Sequence, residues 1–162
     1  MNFFCDDNHT SKLAIEILYH CCYFLAWGHI DNYSIILILE PYKRDKVLTE
    51  NNQIRLYSYI KQIVENKNCK LYAIDGIEDH VHILVSIRAD ISISDFIKDA
   101  KVSSSVFIKR EKLFPYFKSW ATGYSIFTRS YESLDTLIKY IENQKKHHKN
   151  KSYYEEYGEL LK

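Results

Sequence analysis

The chain has 162 residues, enough for one domain that buries roughly two thirds of its unfolded surface and too few for a separate regulatory module. Its formal net charge of +1 excludes overall basicity as a source of nucleic-acid affinity, so any such affinity has to come from local clusters. The four cysteines, Cys5, Cys21, Cys22 and Cys69, have no paired CxxC spacing, which argues for reduced thiols.

The uncharged run from Ile17 to Ile30 is shorter than the roughly 20 apolar residues of a membrane span. Acidic Asp6 and Asp7 precede it where a signal peptide would be basic, so the expectation is a soluble, cytoplasmic protein with no membrane association. Four glycines and two prolines leave no flexible linker, and no repeat or low-complexity tract is evident. Residues 1–30 read as an N-terminal extension of unknown role, in which Leu13 to Leu25 has helical character weakened by Cys21, Cys22 and Tyr23. Residues 31–162 read as a single domain.

Within that domain, Tyr33 to Leu39 is a β-rich apolar run closed by Pro41, and Thr49 is placed to cap a helix through about Asn66. Lys70 to Asp75 and His80 to Arg88 are strands of an antiparallel hairpin, joined by the turn-forming residues Gly76-Ile77-Glu78-Asp79. Ser92 or Ser94 caps the next helix, whose buried positions Phe96, Ile97, Ala100, Ser104, Phe107 and Ile108 follow a helical period to about Lys112. Trp120 to Thr128 is aromatic and β-branched enough for a fourth strand. Ser130 then caps a helix with Leu134, Leu137, Ile138 and Ile141 at amphipathic spacing. The order β-α-β-β-α-β followed by a helix predicts a ferredoxin-like α+β domain, with two helices on one face of an antiparallel sheet and the other face open to a ligand.

Alternation along the second hairpin strand sends Val81, Ile83, Val85 and Ile87 toward the helices and His80, His82, Leu84 and Ser86 to the open face. Two imidazoles on one face can share a divalent ion. On the last helix Tyr140 and Gln144, four residues apart, lie on one side at the border of the apolar stripe, pairing a nucleophile with a third metal-ligand candidate. Together these residues read as a split metal and nucleophile site for cutting single-stranded DNA. Each element alone has a simpler explanation, because a strand histidine pair can be half-exposed and most of the 14 tyrosines must pack.

His80-Val81-His82, then Trp120 and Gly123-Tyr124, then Tyr140-Ile141-Glu142-Asn143-Gln144-Lys145-Lys146-His147-His148 occur in the order of a known family. From about Tyr33 onward, Tyr153-Tyr154-Glu155-Glu156-Tyr157 included, the chain resembles the IS200-like single-tyrosine HUH transposases of insertion sequences. The resemblance implies a single-strand DNA endonuclease and strand transferase that acts in the excision and insertion of a mobile element. His80, His82 and Gln144 would hold the metal, Mg2+ or Mn2+, and Tyr140 would form a covalent 5'-phosphotyrosine. It also implies single-stranded DNA hairpins as substrates and a homodimer with the active site shared between subunits. Imidazole alone suits several transition metals, so the sequence does not choose among them.

The one clearly basic stretch carries Lys139, Lys145, Lys146 and Lys149, and with Lys101 of the preceding helix these are the DNA-binding candidates. A lysine-rich helix end is equally explained by the helix macrodipole. Two departures from the family stand out: residues 1–30 have no counterpart, and the strand Ser34-Ile35-Ile36-Leu37-Ile38 lacks expected polar residues. Other readings remain: a domesticated REP-associated tyrosine transposase, a catalytically silent DNA-binding relative, and an unrelated ferredoxin-like metal-binding domain with a structural tyrosine.

Overall fold

The computed structural model of the protein describes residues 2–4, 32–128, 134–143 and 145. Five strands form one antiparallel sheet: β1 (Asn2–Phe4), β2 (Asn32–Leu39), β3 (Lys70–Ile77), β4 (His80–Arg88) and β5 (Ser125–Thr128). Their spatial order is β1-β5-β2-β4-β3, so β2 and β4 are interior strands and β3 is an edge. A short 3-10 helix (Tyr42–Arg44) and helices α1 (Glu50–Asn66), α2 (Ile93–Arg110) and α3 (Leu134–Glu142) complete the described elements. Without β1, the chain order β2-α1-β3-β4-α2-β5 is the expected ferredoxin-like arrangement.

One face of the sheet follows the expected alternation. Ile35, Leu37 and Leu39 of β2 and Val81, Ile83, Val85 and Ile87 of β4 pack with Leu56, Ile60 and Val64 of α1 and Phe96, Ile97 and Ile108 of α2. Local signals set the ends of these helices. Ser92 accepts a hydrogen bond from the Asp95 amide at 3.5 Å, and Asn68 (φ 52) and Lys112 (φ 51) take the left-handed conformation that stops α1 and α2. Thr49 stands at the N-cap of α1 but its side chain caps nothing; Gln53 Nε2 instead donates back to the Leu48 carbonyl at 2.8 Å.

The other face differs from the expectation of an open surface. Ile36, Ile38, Ala73, Leu84 and Phe127 are buried in a second core with Ile141 of α3, and Leu134, Leu137, Ile138 and Tyr140 pack against it. The reason is visible in β2, which is apolar on both faces and therefore needs cover on both. α3 supplies that cover, lying against β3 and β4.

The fourth predicted strand is shorter than expected. Only Ser125–Thr128 belong to the sheet, while Trp120 makes an isolated bridge to Pro41 and its ring is buried against Phe117. Its indole Nε1 donates to Ser104 Oγ at 2.9 Å, and that hydroxyl donates in turn to the Ala100 carbonyl. An unexpected strand lies at the other end of the chain, where Asn2–Phe4 pair with Ser125–Phe127 at the sheet edge. The stretch Leu13 to Leu25, with its weak helical character, and the capping residue Ser130 lie outside the described residues.

Ser104→Ala leaves the buried indole donor without its acceptor. The expected result is a loss of about 1–2 kcal/mol in urea unfolding, together with altered tryptophan fluorescence.

Candidate functional site

The site is built on the β3–β4 hairpin. Its turn is only Glu78-Asp79, so Gly76 and Ile77, read from sequence as turn residues, are the last two of β3. The register pairs Ile77 with His80, Gly76 with Val81 and Asp75 with His82, and on its other side His82 faces Ile38 of β2. Gly76 is required by this close pairing, since a Cβ there would lie 2.3 Å from the His80 carbonyl oxygen and 2.8 Å from the Val81 Cα.

Both imidazoles share one face as expected, with ring centroids 4.8 Å apart and planes at 67°. They are not half-exposed, however, for His80 and His82 show 1% and 0% of their surface. His80 Nδ1 lies 2.6 Å from Asp79 Oδ1, and the Arg44 guanidinium lies 3.4 Å from Asp79 Oδ2 and 3.7 Å from Glu40. Burial alone would push the Asp79 carboxyl up. The His80 hydrogen bond and charge, with Arg44 and Lys46, outweigh burial and hold it below the usual carboxylate range. An ionised carboxylate only accepts, so Nδ1 carries the proton and the lone pair of a neutral His80 ring is on Nε2.

Asp75, across the ladder from His82, behaves differently. Burial raises its carboxyl above the usual range, with Glu50 adding to the shift and the Gly76 amide and Lys145 opposing it.

α3 brings the phenol to this pair. The Tyr140 ring centroid is 6.4 Å from that of His82 in the same chain, edge-to-face at 80°. Ile141, fully buried, and the stripe Leu134, Leu137 and Ile138 fix the rotation of α3 that puts Tyr140 at the border of the second core. His80, His82 and Tyr140 are thus brought together; Gln144 lies outside the described residues, as do Lys146 and Lys149.

Among the described residues no group of three or more His, Cys, Asp or Glu side chains is placed to hold a metal. The fit to a metal therefore rests on two imidazoles at 4.8 Å, a separation that lets two nitrogens reach one ion at bonds of about 2.1 Å. The further ligands have to be of other types or come from the undescribed part of the chain.

The described lysines of the DNA-binding set are in different situations. Lys139 is exposed on α3, whereas Lys145 pairs with Glu50 at 2.7 Å on the surface. Lys101 Nζ donates to the carbonyls of Ala121, Thr122 and Gly123 at 2.9, 3.1 and 2.6 Å, and burial pushes it down to about 8, with Glu40 pulling the other way. Three donors on three carbonyls make Lys101 a clamp on the loop before β5. Sequence reasoning missed Asp79, Gly76 and Arg44. The first two were legible as a carboxylate next to a histidine and a glycine four residues before it, but nothing in the sequence ties Arg44 to Asp79.

Sheet, buried histidine pair and tyrosine-bearing helix define the class: a ferredoxin-like α+β domain built around two imidazoles and a phenol. The chain belongs to the family described as Transposase IS200 like, whose model matches residues 29–144. That membership places its broad activity among the transposases. Two solved structures share the fold. A candidate transposase from Deinococcus radiodurans R1 superposes with a TM-score of 0.56 and 24% identity, over 73% of this chain and 95% of that one. A REP-associated tyrosine transposase bound to a REP hairpin gives a TM-score of 0.53 and 13% identity, over 72% and 68% of the two chains. No curated protein matches the sequence. Among the described residues no helix is long and apolar enough to cross a membrane.

Gly76→Ala has to push the His80 backbone away. It is expected to destabilise the protein by about 2–4 kcal/mol in denaturant unfolding. Lys101→Met is expected to lower stability by about 1–2 kcal/mol, discounted for the partial exposure of the ammonium. Hydrogen exchange at residues 121–124 should accelerate in the same variant.

Proposed function

We propose that this chain cuts and rejoins single-stranded DNA through Tyr140, using a divalent metal, Mg2+ or Mn2+, held by His80, His82 and Gln144. One observation carries the reading: within one chain the Tyr140 ring stands 6.4 Å from the ring of His82, on the helix that covers the buried histidine pair. The family membership supports it.

In this reading Asp79 keeps the His80 proton on Nδ1 and so turns Nε2 toward ligation. A bound divalent ion would neutralise charge on the scissile phosphate and hold it in line. The Tyr140 oxygen attacks phosphorus, the bond from phosphorus to the 3' oxygen breaks, and the phenolic proton is lost as the 3' oxygen leaves as a hydroxyl. A phenol with an ordinary pKa near 10 is mostly protonated at neutral pH, so this step needs the electrostatic help of the site. The 5'-phosphotyrosine retains the phosphodiester energy. A second 3'-hydroxyl can therefore attack it and release Tyr140, giving strand transfer during excision and insertion of a mobile element.

DNA hairpins are the proposed substrates, in line with the REP hairpin bound by the structural neighbour. At 1% and 0% exposure the histidines admit no phosphate as α3 lies here, so turnover requires α3 to shift over β3 and β4. The geometry favours a site that closes within one chain over one shared between the subunits of a homodimer.

The test is a covalent protein–DNA adduct on a denaturing gel, formed with a single-stranded hairpin and Mn2+. The adduct should vanish in EDTA, in Tyr140→Phe and in His82→Ala. An equimolar mixture of the two variants should also form none. An adduct in the mixture would show that the tyrosine of one chain serves the histidines of another, and an adduct in Tyr140→Phe would assign another nucleophile.

A further inference from the structure

Beside the histidine pair, between β2 and α1, stands the segment Tyr42-Lys43-Arg44-Asp45-Lys46, of which Arg44 and Lys46 already act on Asp79. It is welded in place at both ends. The Tyr42 amide donates to the Ser119 carbonyl at 2.9 Å, and the Val47 and Leu48 amides donate to the Glu78 carbonyl at 3.0 and 2.9 Å. Glu78 is in the hairpin turn, two residues before His80, and Arg44 joins the segment to Asp79, the hydrogen-bond partner of His80. The segment is therefore part of the rim at the histidine end of the sheet.

The conformation of this segment is unusual. Lys43 (φ 59) and Arg44 (φ 55) are consecutive left-handed residues, and neither is glycine or asparagine. Two consecutive left-handed residues with long side chains cost conformational energy that smaller residues would not. Arg44 is turned to Glu40 and Asp79. Lys43 and Lys46 are exposed, and among the described residues neither enters an ion pair; the Asp45 side chain between them is half-buried. Tyr42 is 45% exposed, with Lys43 Nζ 5.5 Å from its ring centroid. An exposed ring with one cation beside it, and a second exposed cation on the same short connection whose charge also reaches Asp79, can take a stacked base and neighbouring phosphates.

We infer that Tyr42, Lys43 and Lys46 form a binding site for the single strand that runs into the histidine–tyrosine site, Tyr42 stacking an unpaired base and the two lysines contacting phosphates. This rests on the single-stranded DNA reading above and names a contact surface for it. It extends the candidate grip from the basic end of α3, where Lys145 pairs with Glu50, to the connection that precedes α1.

The test is fluorescence anisotropy in EDTA, with a labelled DNA hairpin carrying a short oligothymidine flank and the same hairpin blunt-ended. The variant is Tyr42→Ser/Lys43→Asn/Lys46→Gln, asparagine being chosen because it tolerates the left-handed conformation, and its thermal melt should match the wild type. Wild type should bind the flanked hairpin more tightly than the blunt one. The variant should lose roughly tenfold in affinity for the flanked hairpin, and its salt dependence should be shallower by about 1.4 in log–log slope, the share of two single-strand phosphates. Lys109→Gln, which removes an exposed lysine near the end of α2, should leave the flank preference intact. Unchanged affinity and slope in the triple variant would overturn the inference and leave the cutting reading standing, as would an equal loss in Lys109→Gln. No binding of either DNA by the wild type would overturn both.

Discussion

The two-residue turn at Glu78-Asp79 is the constraint on which the site depends. It fixes the register of β3 against β4, and with that register come Asp75 opposite His82, Gly76 opposite Val81 and the Asp79 carboxylate against His80. One residue of slip would send both imidazoles into the layer of α1 and α2 and bring Val81 to the face where α3 lies. Gly76 guards the register sterically, because the strands approach there too closely for any Cβ. Arg44 then couples the turn to the β2–α1 connection, so histidine orientation and rim conformation are held by the same carboxylate.

Around that hairpin the sheet is covered on both sides, and the two covers differ. The layer of α1 and α2 is long, deeply packed and tied to the loop before β5 through Trp120, Ser104 and Lys101. The cover supplied by α3 is short, with Ile141 as its one fully buried side chain among the described residues. Short helices with few buried side chains lie at the low end of local stability. In the proposed reading, a helix that carries the nucleophilic phenol and shifts to admit DNA fits that profile, while the histidines stay on the interior strand β4.

Much of this was legible in the chain. Period-two alternation on His80 to Arg88 put both imidazoles on one face, and the apolar spacing of Leu134 to Ile141 put Tyr140 at the edge of a buried stripe. The histidine face is closed where alternation on one strand pointed to an open one, although β2 held the signal: Ile36 and Ile38 are as apolar as Ile35, Leu37 and Leu39, which means cover on both faces. Lys101 could not be sorted from sequence, since a lysine on a helix looks the same whether it faces DNA or three carbonyls. The pairing of Asn2–Phe4 with β5 was equally out of reach, because a three-residue strand carries no periodic signal and its partner lies over a hundred positions away.

The central claim, that His80 and His82 are one metal site addressed by Tyr140, is tested most directly by anomalous diffraction from crystals of the protein soaked in Mn2+. The account expects an anomalous peak within bonding distance of an imidazole nitrogen from each histidine, with the Tyr140 hydroxyl turned to the same ion-facing cleft. A fully soaked crystal with no peak between the two rings, or with its peak at an unrelated carboxylate cluster, would contradict it.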